Sequence, residues 1–197
     1  MALLDRGAVC GRHPEAVVEV WICRHGETSE NQTRTAAGWN TGELSAAGLE
    51  QARQLATRLR DVGFDAMYVS DLRRTEMTAQ QINAVRKIPL EWVSDSRLRE
   101  KGAGVNEGKP IGISEGQARR QGISARIFRP ACGGESWEDV ATRARSFIRS
   151  LVRSSALSPR PHGRNLVITH GGWIKAKPRP LIACLTAPPA HNCSSTY

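Results

Sequence analysis

Three short runs of the chain are apolar at nearly every position: Val17 to Cys23, FDAMYVS (64–70) and NLVIT (165–169). Runs of this kind, without the strict alternation of a half-exposed strand, predict strands covered on both faces. Between the first two, Leu49, Ala52, Ala56, Leu59 and Val62 recur at helical spacing behind Ser45, a predicted N-cap. A second helix is predicted from Leu72 to Val85. A third follows Ser136, with Asp139 in its first turn and Val140, Ala144, Phe147 and Leu151 as its apolar stripe. SSALSPRPHGR then breaks the pattern before the next strand. Strand, helix, strand order predicts right-handed crossovers and parallel pairing. The predicted fold class is α/β, a three-layer sandwich whose mostly parallel sheet carries helices on both faces. Its chemistry should lie at the carboxyl ends of the strands. Residues 101–135, rich in Gly and without periodicity, are predicted to be an irregular excursion over the sheet edge.

At 197 residues the chain can bury one sizeable core, placed at 17–176 behind an N-terminal extension, 1–16. The formal charge of +9 suits an anionic partner. Charge alone does not choose among nucleic acid, an acidic membrane surface and a small phosphorylated metabolite, but the basic residues are scattered, without a stripe interleaved with stacking aromatics or a recognised nucleic-acid module, which argues against nucleic acid. No apolar run approaches the length of a membrane span, and Asp5 and Arg6 interrupt the only apolar start, so neither membrane contact nor export is expected. Five widely spaced cysteines, an odd number without a Cys-x-x-Cys pair, predict free thiols in a reducing, cytoplasmic compartment and no zinc site.

The candidate chemistry sits at the strand exits. In VEVWICRHGETSEN (18–31) an apolar run stops at Arg24 and His25, where a loop and a helix start could surround an anion. A neutral imidazole there can attack phosphorus and divide one displacement into two. A lone His is usually a surface or satisfied core residue, but three further stretches repeat the device. Arg74 follows the second strand, on the first turn of a helix, where a guanidinium can hold phosphate oxygens bidentately. Glu100 follows another extended segment, and a carboxyl group near a phosphate is a natural proton donor to a leaving alkoxide. In VITHGG a third apolar run ends at His170, and Gly171 and Gly172 permit close backbone approach.

With these stretches in view the chain resembles the histidine phosphatase, or phosphoglycerate mutase-like, superfamily over about 17–176. RHGET carries the signature, Asn31 stands at the spacing of a phosphate-contacting Asn, and Leu44, Ser45, Gly48, Gln51, Ala52 and Arg74, Thr78, Ala79 fill two further patterns. LRE, GGES (133–136) and THGG follow in family order. The resemblance implies that His25 is the phosphorylated nucleophile and Glu100 the proton donor. It implies that Arg24, Asn31, Arg74 and His170 bind the phosphoryl group, and that neither metal nor cofactor is needed. The short stretch between Glu100 and GGES is most similar to TIGAR-type fructose-2,6-bisphosphatases and favours a hydrolase over a mutase.

Two stretches depart from that pattern. After GW the family often places Asp and Pro, where this chain has NTGELS. Beyond His170, Pro178 and Pro180 should stop a helix expected to be long, and the chain reaches Tyr197 soon after an Asn-Cys-Ser stretch at 192–194 that opens a final strand in relatives. Residues 177–197 therefore read as an atypical, truncated segment lacking the last strand. A defect there motivates an alternative reading, a catalytically weak member acting as a metabolite-binding or regulatory protein.

Overall fold

The computed structural model describes residues 18–156, 163–176 and 184–185. Five parallel strands, β1 (Glu19–Arg24), β2 (Ala66–Val69), β3 (Trp92–Ser94), β4 (Arg164–Thr169) and β5 (Cys184–Leu185), form one sheet in the order β3-β2-β4-β1-β5. The helices are α1 (Ser29–Gln32), α2 (Ala46–Leu59), α3 (Arg73–Ala84), α4 (Ile113–Arg120), α5 (Trp137–Ala156) and α6 (Gly171–Ala176).

Two apolar clusters, one on each face, make this a three-layer α/β sandwich. Leu55, Ala56 and Leu59 of α2 and Ala79 and Ile82 of α3 pack on Cys23, Met67, Val69, Leu166 and Ile168. On the other face Val140, Ala144, Phe147, Ile148 and Leu151 of α5 and Trp173 of α6 pack on Val20, Ile22 and Val167. Successive strand residues point to opposite faces, so β4 supplies both clusters. Each fully buried side chain of this size is worth about 1.5 to 3 kcal/mol. The predicted caps are present: Ser45 Oγ accepts the Gly48 N–H at 3.0 Å. Ser136 and Asp139 exchange backbone-to-side-chain bonds of 3.2 and 2.9 Å ahead of α5.

Three expectations need correction. Strand order suggested β1 beside β2, but β4 lies between them and pairs in parallel with both. Leu166, Val167 and Ile168 are fully buried, so β4 gains most from the place with neighbours on both sides. Residues 101–135 are not wholly irregular, since they include a 3-10 turn at Gly104–Asn106 and α4. Helix α4 buries only Ala118 and starts after Gly112 at φ 98°, so it has no apolar stripe to read. Residues 177–197, expected to lack the last strand, contribute β5, whose Cys184 and Leu185 pair with Ile22 and Cys23 and cover backbone groups that an open edge would expose. The extension 1–16, Pro178, Pro180 and the stretch from Asn192 lie outside the described residues. No helix among the described residues is long and apolar enough to cross a membrane.

Candidate active site

Strands β1, β4 and β2 are neighbours, and the ladder continues one residue past each. The N–H of His25 donates to Thr169 O at 3.1 Å, and that of Ser70 to Ile168 O at 3.0 Å. His25, Ser70 and His170 thus leave the sheet at one level. The two imidazoles have centroids 5.0 Å apart, and Ser70 Oγ lies 2.9 Å from His170 Nε2. The first turn of α3 delivers Arg74, whose side chain is 1% exposed and whose Nε donates to His170 Nδ1 at 3.3 Å. Its Nη1 and Nη2 donate to the carbonyls of Asn40 and Gly38, at 2.9 and 2.8 Å. Three of the five guanidinium N–H groups are thereby spent on orientation, and two stay available to an anion.

These contacts fix both tautomers. His25 Nδ1 lies 2.6 Å from Gly26 O, which can only accept, so the proton is on Nδ1 and the Nε2 lone pair is free. In His170, Nδ1 accepts from Arg74, so Nε2 carries the proton and donates to Ser70. Burial first, then Arg74 and Arg24, lowers the pKa of His25 to about 3, while its bond to Gly26 opposes the shift. Burial, then His25 and Arg74, pushes His170 well below the usual histidine range. Both rings are neutral at pH 7, and neutrality is what gives His25 a nucleophilic lone pair.

Glu100 reaches the same rim from β3 through a 3-10 turn at Ser96–Leu98. Its Oε1 accepts the Lys101 N–H at 2.8 Å and its Oε2 the Gly172 N–H at 3.1 Å. A Cβ at Gly172 would overlap Glu100 Oε1, so the carboxylate can take this place only beside a glycine. Arg24, exposed at the end of β1, lies beside Gly171 and adds positive charge next to His25. Asn31 is placed differently from the other five: its Oδ1 accepts the Thr28 N–H at 3.1 Å at the start of α1, a bond that orients its amide. Among the described residues no group of three or more His, Cys, Asp or Glu side chains could hold a metal ion. Arg74 and Arg24 bring positive charge to His25.

Several supporting residues have roles that the linear pattern did not assign. Glu27 Oε1 accepts from Ser45 Oγ at 2.9 Å and from Gln32 Nε2 at 2.7 Å, and the Glu27 N–H donates to Gln51 Oε1 at 2.9 Å. Thr78 Oγ1 accepts the Gly26 N–H at 3.3 Å. Gly26 and Gly48 touch so closely that a Cβ on either would strike backbone, so Ser45, Gly48, Gln51 and Thr78 act by clamping the loop after His25. Arg143 of α5, among the scattered basic residues in sequence, donates to the carbonyls of Arg97, Arg99 and Glu100 and pairs with Glu135 at 2.9 Å. Ser70, Trp39, whose Nε1 donates to Glu100 O at 2.8 Å, and Arg143 carried no signal in the chain, because each acts through a partner distant in sequence.

An α/β sheet with two histidines and two arginines at adjoining strand exits defines a phosphoryl-handling protein. The profile of the Histidine phosphatase superfamily (branch 1) matches residues 20–190, and the chain belongs to that superfamily. It is 32% identical to fructose-2,6-bisphosphatase TIGAR B of Danio rerio, over 84% of this chain and 77% of that protein. Among solved structures it is similar to a mycobacterial glucosyl-3-phosphoglycerate phosphatase (32% identity, TM-score 0.65, 79% of this chain and 74% of that one). It is also similar to a phosphoglycerate mutase of Bacillus anthracis (26% identity, TM-score 0.71, 81% and 77%).

Proposed function

We propose that the protein is a metal-independent phosphomonoesterase that works through a phosphohistidine on a small phosphorylated metabolite. The observation that carries this reading is the His25 imidazole, neutral, with Nδ1 tied to Gly26 and Nε2 free, between Arg24, Arg74 and His170. Nε2 attacks phosphorus while the ester P–O bond breaks, and Glu100, protonated for this step, gives its proton to the departing alkoxide. In the second half Glu100, now a carboxylate, takes a proton from water. The resulting hydroxide displaces His25, the P–N bond breaks, and inorganic phosphate leaves with the neutral imidazole restored. Arg24, Arg74 and the Asn31 amide hold the phosphoryl oxygens as negative charge accumulates on them, and His170 joins them by turning its Nε2–H from Ser70 Oγ to a bound oxygen.

Hydrolysis is favoured over mutase chemistry by the short chain between Glu100 and Gly133. Fructose-2,6-bisphosphate enters as a candidate through the 32% identity to a protein of that activity, and other sugar phosphates through the named fold neighbour. A cytoplasmic setting is supported by the exposed free thiol of Cys132. The test is incubation with a 32P-labelled substrate, a rapid quench that avoids acid, and mapping of the label. Alkali-stable, acid-labile label on His25, absent in His25→Ala together with turnover, is the expected result. Label on His170, or turnover that survives His25→Ala, would overturn the assignment.

A further inference from the structure

Beside Glu100 opens a cavity of about 130 Å³. At about 30 Å³ per water it has room for a group displacing roughly four of them. Ile111 and Ile113 contribute apolar wall, and Gly38, whose carbonyl holds Arg74, joins the cavity to the phosphoryl end. Its polar residues include Glu100, Lys101, Asn106 and Glu115. Asn106 is already satisfied, its Nδ2 donating to Ser114 Oγ at 3.0 Å and Gln117 Oε1 at 2.6 Å. Lys101 Nζ rests over the Trp137 ring at 5.5 Å. Neither Lys101 nor Glu115 joins an ion pair within 4.0 Å among the described residues. The ionisable side chains lining the cavity are therefore one lysine and two glutamates, Glu100 and Glu115.

We propose that this cavity receives the leaving alcohol, and that Lys101 and Glu115 together restrict it to small polyols bearing no second phosphoryl group. The inference rests on the phosphatase reading above and narrows its substrate class. A second phosphoryl group carries about 1.5 to 2 negative charges at neutral pH and would meet no net positive charge here, unlike the scissile group, which faces two arginines. A hydroxyl both donates and accepts, and suits a pocket with one ammonium donor and one carboxylate acceptor. Among the carboxylates around Lys101, Glu115 acts on it most strongly, opposing the effect of burial. Glu115 is thus the residue a bisphosphate has to overcome, which counts against fructose-2,6-bisphosphate as the preferred substrate.

The experiment compares kcat/KM for glycerol 3-phosphate and glycerol 1,3-bisphosphate, which share one skeleton, with p-nitrophenyl phosphate as a reference for chemistry alone. The wild type is expected to prefer the monophosphate. Glu115→Gln should raise the bisphosphate-to-monophosphate ratio about tenfold, and Lys101→Met should lower it. Because the first change is a gain, loss of folding cannot imitate it. A wild-type preference for the bisphosphate, or a ratio that stays put or moves the other way in Glu115→Gln, overturns the inference while leaving the phosphatase reading intact. A wild type that turns over none of the three, p-nitrophenyl phosphate included, removes the phosphatase reading and the inference with it.

Discussion

Gly172→Ala isolates the placement of Glu100 from the rest of the site. A Cβ at this position would fall short of the 3.0 Å that real Cβ atoms keep from Glu100 Oε1 by about 1 Å, with Trp137 Cζ3 a further 3.3 Å neighbour. The carboxylate has to retreat, and its bonds to the Lys101 and Gly172 N–H groups, at 2.8 and 3.1 Å, stretch or break. Alanine suits the start of α6 better than glycine does, and Gly172 is not in the left-handed region, so the helix itself should tolerate the change. A misplacement of about 1 Å at a reacting group costs on the order of a hundredfold in rate. That loss should fall on substrates whose alkoxide needs a proton. The assay is therefore kcat on glycerol 3-phosphate and on p-nitrophenyl phosphate, with thermal melting to confirm the fold. A loss near a hundredfold on the first and within about threefold on the second is expected. Equal losses on both substrates, or none on either, would refute the idea that Gly172 exists to seat the acid.

Glu100→Gln should reproduce the same split between the two substrates, in a purer form because nothing is displaced; the ratio of their rates checks it. Arg143→Met leaves Glu135, only 14% exposed, without its cation and strips three carbonyls of a donor, so urea unfolding should show a loss of about 3 to 5 kcal/mol. The folded-state pKa of His25 is depressed, so below about pH 6.5 the unfolded chain binds a proton that the folded chain refuses. Stability should then fall as pH drops from 6.5 towards 3, by up to about 1.4 kcal/mol per pH unit from this residue. His170 acts in the same direction, and His25→Ala should lose its own share of the slope in melts across that range.

Strands β1, β2 and β4 were legible because each is apolar at nearly every position, and the helices α2, α3 and α5 because their apolar stripes have helical period and two of them open on visible caps. The meeting of His25, Arg74, Glu100 and His170 was legible for a topological reason: residues at carboxyl ends of neighbouring parallel strands must converge. Three things were hidden. The position of β4 between β1 and β2 depends on relative burial, which no local window contains. Helix α4 is held by a left-handed glycine and one buried alanine, too little to make a period. Arg143 looks like any surface arginine until Glu135 and three carbonyls are brought to it by the fold.

The place of β4 also sets the order in which the molecule can be made. β1 and β2 both depend on a strand that lies up to 145 residues further along the chain, the separation of the Glu19 and Arg164 pair. During synthesis from the N-terminus, at roughly 5 to 20 residues per second, the emerging chain carries two apolar strands with their central partner still unmade. The contacts that close the sheet are far apart in sequence, a topology that folds slowly. His25 acquires its depressed pKa only when it is buried, and the exit of β4, whose Thr169 O accepts the His25 N–H and whose His170 ring lies against it, closes over it last. A partly made chain therefore exposes sticky strand edges before His25, Arg74 and His170 have met, so sheet closure and assembly of the site should be one kinetic event.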